Sequence, residues 1–429
     1  MKRAAAVFAL VATVIVGVWL ATSVSAQRTR TSGARYEWPM GLGALDEVPK
    51  RYPARDTSND AARLTALAAA AGVDLSPPLV ASLSAQRPGL NTYLDAQLTR
   101  ADDAVDPPPP ELAQYFATYG AALADVREYL VGRTAIIWPT DVVAAARAPL
   151  PNLSGHLALT RLLVAHALTS PETASDDLCA AWHLQRALWH RPELISKMVA
   201  LAGTRIVNAA ARRLDARPAW FGEIAAIDYR RSMLAAQQSE AWVIRRHVEE
   251  SAQQRDGRLV DVVLQPYEEM CAANIAAVMR RAAGELAQSR HCAIDGAALD
   301  RRVRAMLPFW NRPAHHSTPN LGGVWQRVAR FHAELEATER IFAIKSGKWT
   351  PDLERSRCAD GSWTYADGKL RFSREIAAPR PMLNVPLVWR PSPAHAGEGQ
   401  QISLLPLAGE GAAKRRMRAA PTPAQAPPR

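Results

Sequence analysis

Between Ala4 and Ala21 the chain carries no charge, and Val, Phe, Leu, Ile and Trp recur through the stretch. As a helix those 18 residues are just long enough to cross a bilayer. Lys2 and Arg3 precede the run, and Val24-Ser25-Ala26 ends it with side chains small enough for a signal peptidase, ahead of Gln27. Two outcomes follow. Either residues 1–26 are a signal peptide removed after Ala26, releasing the rest to the periplasm, or residues 4–21 stay in the inner membrane as a single-pass anchor. Basic residues before the run favour an N-terminus held inside, although Arg28, Arg30 and Arg35 blunt that bias. A buried core helix fits badly, because nothing polar on this stretch is available to face water. The rest of the chain is therefore expected in the cell envelope.

The charge of +11 is unevenly placed. Residues 1–55 hold 8 basic and 3 acidic groups, and residues 391–429 hold 5 and 2, which leaves a body with 39 against 36. A body so close to neutral has no electrostatic footprint for nucleic acid. The basic flanks suit an anionic membrane surface instead. With 48% hydrophobic residues the chain is globular, not wholly disordered.

Residues 27–55 read as a linker: polar, basic and interrupted by Gly and Pro. An α-helical domain is expected over 56–350, with helices from Asn59 to near Gly72, Glu111 to Val131, Ser154 to Leu168, Thr173 or Ser175 to His190, and Pro192 to Leu214. The last of these is apolar around most of its circumference, so it belongs in the centre of the fold. Further helices are expected from Ala219 to Glu250, in one or two pieces, then Pro266 to Gln288, Gly296 to Met306, and Gly322 to Lys345. In the final one Val324, Val328, Phe331, Leu335, Thr338 and Phe342 form a stripe at steps of four and three, and Glu334, Glu336 and Glu339 read as its solvated flank. Residues 73–109, broken by Pro77, Pro78 and Pro88, are expected to be irregular. Residues 351–390 form a β-hairpin extension, since two alternating runs flank Ala366-Asp367-Gly368. Residues 391–429 have the composition of a disordered low-complexity tail. The fold class is mainly α: irregular antiparallel helical hairpins, with a solenoid-like stack as one arrangement of them. No repeat of fixed period supports a regular array.

Four cysteines stand at 179, 271, 292 and 358. Outside the cytoplasm an even count suggests disulfides. A helix from Pro266 to Gln288 would hold Cys271 and Cys292 about 30 Å apart along its axis, far beyond the reach of one bond. Two pairings survive, and Cys292–Cys358 with Cys179–Cys271 is the preferred one, because Cys292 and Cys358 both lie at element edges. The alternative for Cys179 and Cys271 is that they are plain core thiols.

The sequence contains no zincin, Cys-x-x-Cys, Gly-x-Ser-x-Gly, Walker or dinucleotide motif. No cofactor or metal is expected, and the catalytic residues are unknown at this level. His183 and His190 are too far apart on one helix to share an ion. His315 and His316, in a Pro-bounded stretch near Trp310, are weak site candidates whose plain reading is a solvated loop. The leading expectation is a non-enzymatic envelope scaffold offering a groove to a protein partner. The alternative is a periplasmic hydrolase acting on cell-wall material, and a third reading is a subunit of a secretion or appendage apparatus.

Overall fold

The computed structural model describes residues 2–76, 89–132, 136–253, 259–289, 292, 295–358, 361–374, 376 and 385–391. The protein is mainly helical. Helix α1 (Lys2–Arg35) is followed by α2 (Val48–Arg51), α3 (Asn59–Ala70), α4 (Leu90–Leu98), α5 (Pro110–Val131), α6 (Leu153–Thr169) and α7 (Ala174–Trp189). Next come α8 (Leu194–Ala211), α9 (Phe221–Ala226), α10 (Tyr229–Gln253), α11 (Leu259–Gln288), α12 (Gly296–Met306), α13 (Arg312–Ser317) and α14 (Leu321–Lys345). Strands β1 (Trp363–Ala366), β2 (Lys369–Phe372) and β3 (Val388–Trp389) form one antiparallel sheet in that order. The expected tail lies outside the described residues from 392 onward, and so do 77–88.

Local chemistry explains most boundaries. Ser58, Asn152, Asp295 and Asn320 each cap a helix by accepting from a backbone amide three residues on. Asp367 and Gly368 both have positive φ, 53° and 68°, as a two-residue hairpin turn of the β1–β2 kind requires. Pro266, expected to open its helix, lies inside α11 instead. Leu90–Leu98 is an added helix within the stretch expected to be irregular.

Three hydrophobic cores meet on α14. Val324, Val328, Phe331, Leu335 and Phe342 join the first, which is built mainly from α3–α8. Leu321 and Trp325 join the second, built with α10, α11 and α12. Ala333, Ala337 and Ile341 join the third, against Trp363, Leu370 and Trp389 of the sheet. With partners on three sides α14 has almost no solvated face. The expected exposure of Glu334 and Glu336 is thus corrected: they are 0% and 2% exposed. Arg205 and Arg330 both pair with the Glu334 carboxylate, while Arg212 donates to its carbonyl and to Thr338 Oγ1 at 2.9 and 3.0 Å. Glu336 accepts from Trp363 Nε1 at 2.9 Å and from Ser356 Oγ at 2.7 Å. Arg330 also donates to the carbonyls of Ile376 and Val385, and Arg212 to that of Pro386. Buried guanidiniums thereby strap Ile376, Val385 and Pro386 onto the helical body.

Residues 27–55 are not a free linker here. Helix α1 continues to Arg35, and Trp38, Leu42, Leu45 and Val48 are buried in the second core. Cys292 and Cys358 are joined by a disulfide across 66 residues, pinning the chain just before the sheet to the start of α12. A loop of that length contributes about 4 kcal/mol in the chain-entropy account. Cys179 and Cys271 are free and buried, so the second pairing is not made. Cys179 lies 3.9 Å from His183 Nε2, and burial pushes its thiol up to about 11, which keeps it protonated and inert.

Candidate functional site

Helix α8 is enclosed as its sequence predicts, yet it carries Lys197 at 3% exposure. Lys197 Nζ donates to Ser232 Oγ, on α10, at 2.8 Å. Among the described residues no carboxylate pairs with that amine. Glu193, one turn earlier, spends its oxygens on Arg191 Nε and Nη2 and on Ser196 Oγ, at 2.9, 2.7 and 2.9 Å. Burial therefore dominates and pushes the ammonium down to about 7; Glu193 resists that shift and Arg51 adds to it. An unpaired buried lysine is costly unless it sheds its proton, and a lysine that does so near neutrality is a base.

The surroundings have the same character. His190 is lowered by burial and then by Lys197 itself, while Tyr52 is raised by burial. Glu240, also raised by burial, accepts from the Leu194 amide at 2.9 Å. The segment 38–52 forms a wall beside Ser232. Arg51 Nη1 donates to Gln238 Oε1 at 2.7 Å, and Gln238 Nε2 to the carbonyls of Gly43 and Ala44 at 3.1 Å. Met40 holds a positive φ of 59°, unusual for a residue with a side chain, next to the Arg231 guanidinium that precedes Ser232. Ser232 itself is half-buried, whereas the amine that it meets is enclosed. Sequence reasoning missed both residues. The available signal was Lys197 itself, one of two charges in an enclosed helix and the one without a carboxylate partner, since Arg205 pairs with Glu334.

A second cluster has the order of a hydrolytic relay but not its freedom. His166 Nδ1 lies 2.7 Å from Asp177, and Ser170 Oγ lies 3.5 Å from Nε2. Thr173 and Arg127 also hold Asp177, at 2.8 and 3.4 Å. The amides of Ser170, Thr173, Ala174 and Asp177 all donate within their own turns and are not free for an oxyanion. The group ties α5, α6 and α7 together.

Trp310 and His315 lie on either side of the buried Asn311. Arg312–Ser317 is the short helix α13 rather than a loop, and His315 on it is exposed. The His316 side chain lies outside the described residues. Asn311, fully buried, donates to the carbonyl of Cys271 and to Asn274 Oδ1 and accepts from Ala314 N, at 3.0–3.1 Å. Tyr267 Oη donates to the Trp310 carbonyl at 2.7 Å, and their rings meet edge-on. Among the described residues no His, Cys, Asp and Glu cluster could hold a metal.

Helix α1 packs along α11. The Arg280 guanidinium lies over the Tyr36 ring at 4.5 Å. Ala26, ten residues before Tyr36, is buried, and Trp19, Thr22 and Ser23 share its face. An antiparallel course would leave Ala26 beyond Gln288, where α11 ends. The two helices therefore run in the same direction, which sets Ala26 level with about residue 270, Ser23 with Tyr267 and Trp19 with about residue 263. Earlier on α1, Leu10, Val11, Val14, Ile15, Val16 and Val18 are all at least half exposed.

No protein family, curated protein or solved structure matches this chain.

Proposed function

We propose that this protein is an acyl hydrolase held at the outer face of a bacterial cytoplasmic membrane, with Ser232 as nucleophile and Lys197 as its base. The observation that carries the reading is the 2.8 Å contact between a buried amine without a carboxylate partner and the hydroxyl of a half-buried serine. Serine–lysine pairs are one of the arrangements by which a hydroxyl is activated. In the uncharged state Lys197 Nζ accepts the Ser232 proton as Oγ attacks the acyl carbon. Arg51, whose charge helps to lower that amine, would have to give up its bond to Gln238 or to the Leu42 carbonyl to meet the developing oxyanion. Collapse of the adduct breaks the acyl–oxygen bond, and Lys197 returns its proton to the departing alcohol. Water then attacks the acyl-serine with Lys197 again taking the proton, and acid is released as Ser232 recovers its hydrogen. In the envelope the substrate class fitting this chemistry is an ester or amide of cell-wall or lipid material.

The location rests on α1. From Leu10 to Val18 its described side chains are exposed, while Trp19, Thr22, Ser23 and Ala26 are half-buried or buried on one face. Helix α8 also has the length and hydropathy of a span, but it is enclosed by the body. Burial of Ala26 within an unbroken helix supports retention of the segment over its removal. Membrane fractionation is then expected to give a pelleted chain that retains Met1–Ala26. A soluble chain beginning at Gln27 would remove the anchor and leave the hydrolase in the periplasm.

The activity is tested by exposing the full-length chain to a fluorophosphonate and mapping the adduct. The expected result is modification at Ser232, lost in Ser232→Ala. If a correctly folded chain is unlabelled at pH 9, the hydrolase reading fails. A second reading, the non-enzymatic scaffold, is favoured by the closed hydrogen bonding at His166–Asp177 and around Glu334; a stoichiometric protein partner recovered from solubilised membranes would support it.

A further inference from the structure

Phe309 is 90% exposed, the most exposed of the large apolar side chains. It stands between Arg304 and Arg312, both exposed, and beside half-buried Trp310. The segment holding it is rigid. Asn311 bolts it to α11 through Cys271 and Asn274, and Tyr267 fixes the Trp310 carbonyl. Such an arrangement presents one ring to solvent at a fixed place.

That place follows from the register of the two parallel helices. Counting back equally from the Tyr36–Arg280 contact brings Tyr267 to within about one turn of Ser23, two residues past the end of the uncharged run at Ala21. Trp310 and Phe309 therefore project at the height where α1 would leave the hydrocarbon. Leu264, 44% exposed, lies lower on α11, level with about Leu20. Aromatic side chains with a polar end, flanked by arginines, are what a headgroup region accommodates.

We infer that the Phe309–Trp310 corner is a second membrane contact, inserting into the headgroup boundary of the bilayer that α1 spans, with Arg304 and Arg312 on anionic lipid phosphates. The inference rests on the reading of α1 as a span. Two attachment points would fix the tilt of the body over the membrane, which a single helix would leave free.

The test uses the full chain reconstituted in vesicles of phosphatidylglycerol and phosphatidylcholine. An environment-sensitive fluorophore is attached by maleimide, in separate samples, to Phe309→Cys, Val14→Cys and Thr118→Cys. Cys179 and Cys271 are buried and the other two cysteines are bonded, so each label is selective. Thr118, exposed on α5 in the other core, reports the aqueous background. The expected result is that lipid nitroxides near the headgroup quench the label at 309 well above that at 118. The quenching should weaken in pure phosphatidylcholine or high salt. Equal quenching at 309 and 118 overturns the contact whatever Val14 shows. An unquenched label at Val14 overturns the span, and quenching at 309 would then mean peripheral binding through this corner alone.

Discussion

Replacing Lys197 with Met is expected to cut the labelling rate of Ser232 by about 10²- to 10⁴-fold, the usual worth of a positioned general base. The same change should make the protein more stable at neutral pH, because Met fills the volume of the lysine without its desolvation cost. The sign follows from linkage. The folded chain holds Lys197 at about 7 against 10.5 when unfolded, so between those values the unfolded chain binds the extra proton. Wild-type stability therefore rises with pH across that window, and Lys197→Met should lack the rise. Loss of reactivity with a gain in stability separates a catalytic lysine from a structural one, whose removal would weaken the fold. Chemical denaturation at pH 7 and 9, paired with the labelling rate, reads both. A variant that is less stable and equally reactive would refute the assignment.

Replacing Glu334 with Gln should act in the opposite sense, destabilising the protein by about 3–5 kcal/mol. Arg205, Arg212 and Arg330 converge on this one residue, which is 0% exposed. Burial pushes the Arg212 guanidinium down to about 9 and Glu334 opposes the shift. Without the carboxylate, three buried cations would face one another. Ile376, Val385 and Pro386 are held by Arg330 and Arg212, so the loss should loosen β3, which follows at Val388, and speed amide exchange in the sheet. Glu339, paired with the exposed Arg357 at 3.2 Å, is the control, and Glu339→Gln should cost under about 1 kcal/mol. Equal denaturation midpoints for the two variants would mean that the buried cluster contributes nothing beyond a surface pair.

How much of this was legible in the sequence differs from residue to residue. Val324, Phe331 and Phe342 announce the buried stripe of α14, because apolar spacing is a local property. The burial of Glu334 is not local. Its partner Arg205 is 129 residues away, and a periodicity argument counts any glutamate as solvent-facing. The Asp367-Gly368 turn was readable because its φ values demand those residues, but β3 was not, since two residues make no pattern. Residues 38–52 look like a tether because their few apolar side chains, Trp38, Leu42, Leu45 and Val48, follow no period; they are buried by a tertiary neighbour, α10. Helix geometry excluded one pairing and left two, and the Cys292–Cys358 bond was preferred because both residues lie at element edges, whereas Cys179 and Cys271 turned on whether their helices present them to one another. At the site, the histidines drew attention as familiar catalytic types. Lys197 did not, although a charge in an enclosed helix is the stronger physical anomaly, and which of Lys197 and Arg205 finds a carboxylate is decided by tertiary contacts.

The most direct test of the account is the pH at which Ser232 labelling is half-maximal in the full-length chain. A buried, uncharged Lys197 predicts a midpoint near 7, with labelling rising as the amine loses its proton and reaching a plateau by about pH 8.5. A midpoint near 10, where an ordinary solvated lysine titrates, would contradict it, as would a rate that persists unchanged after Lys197 is removed.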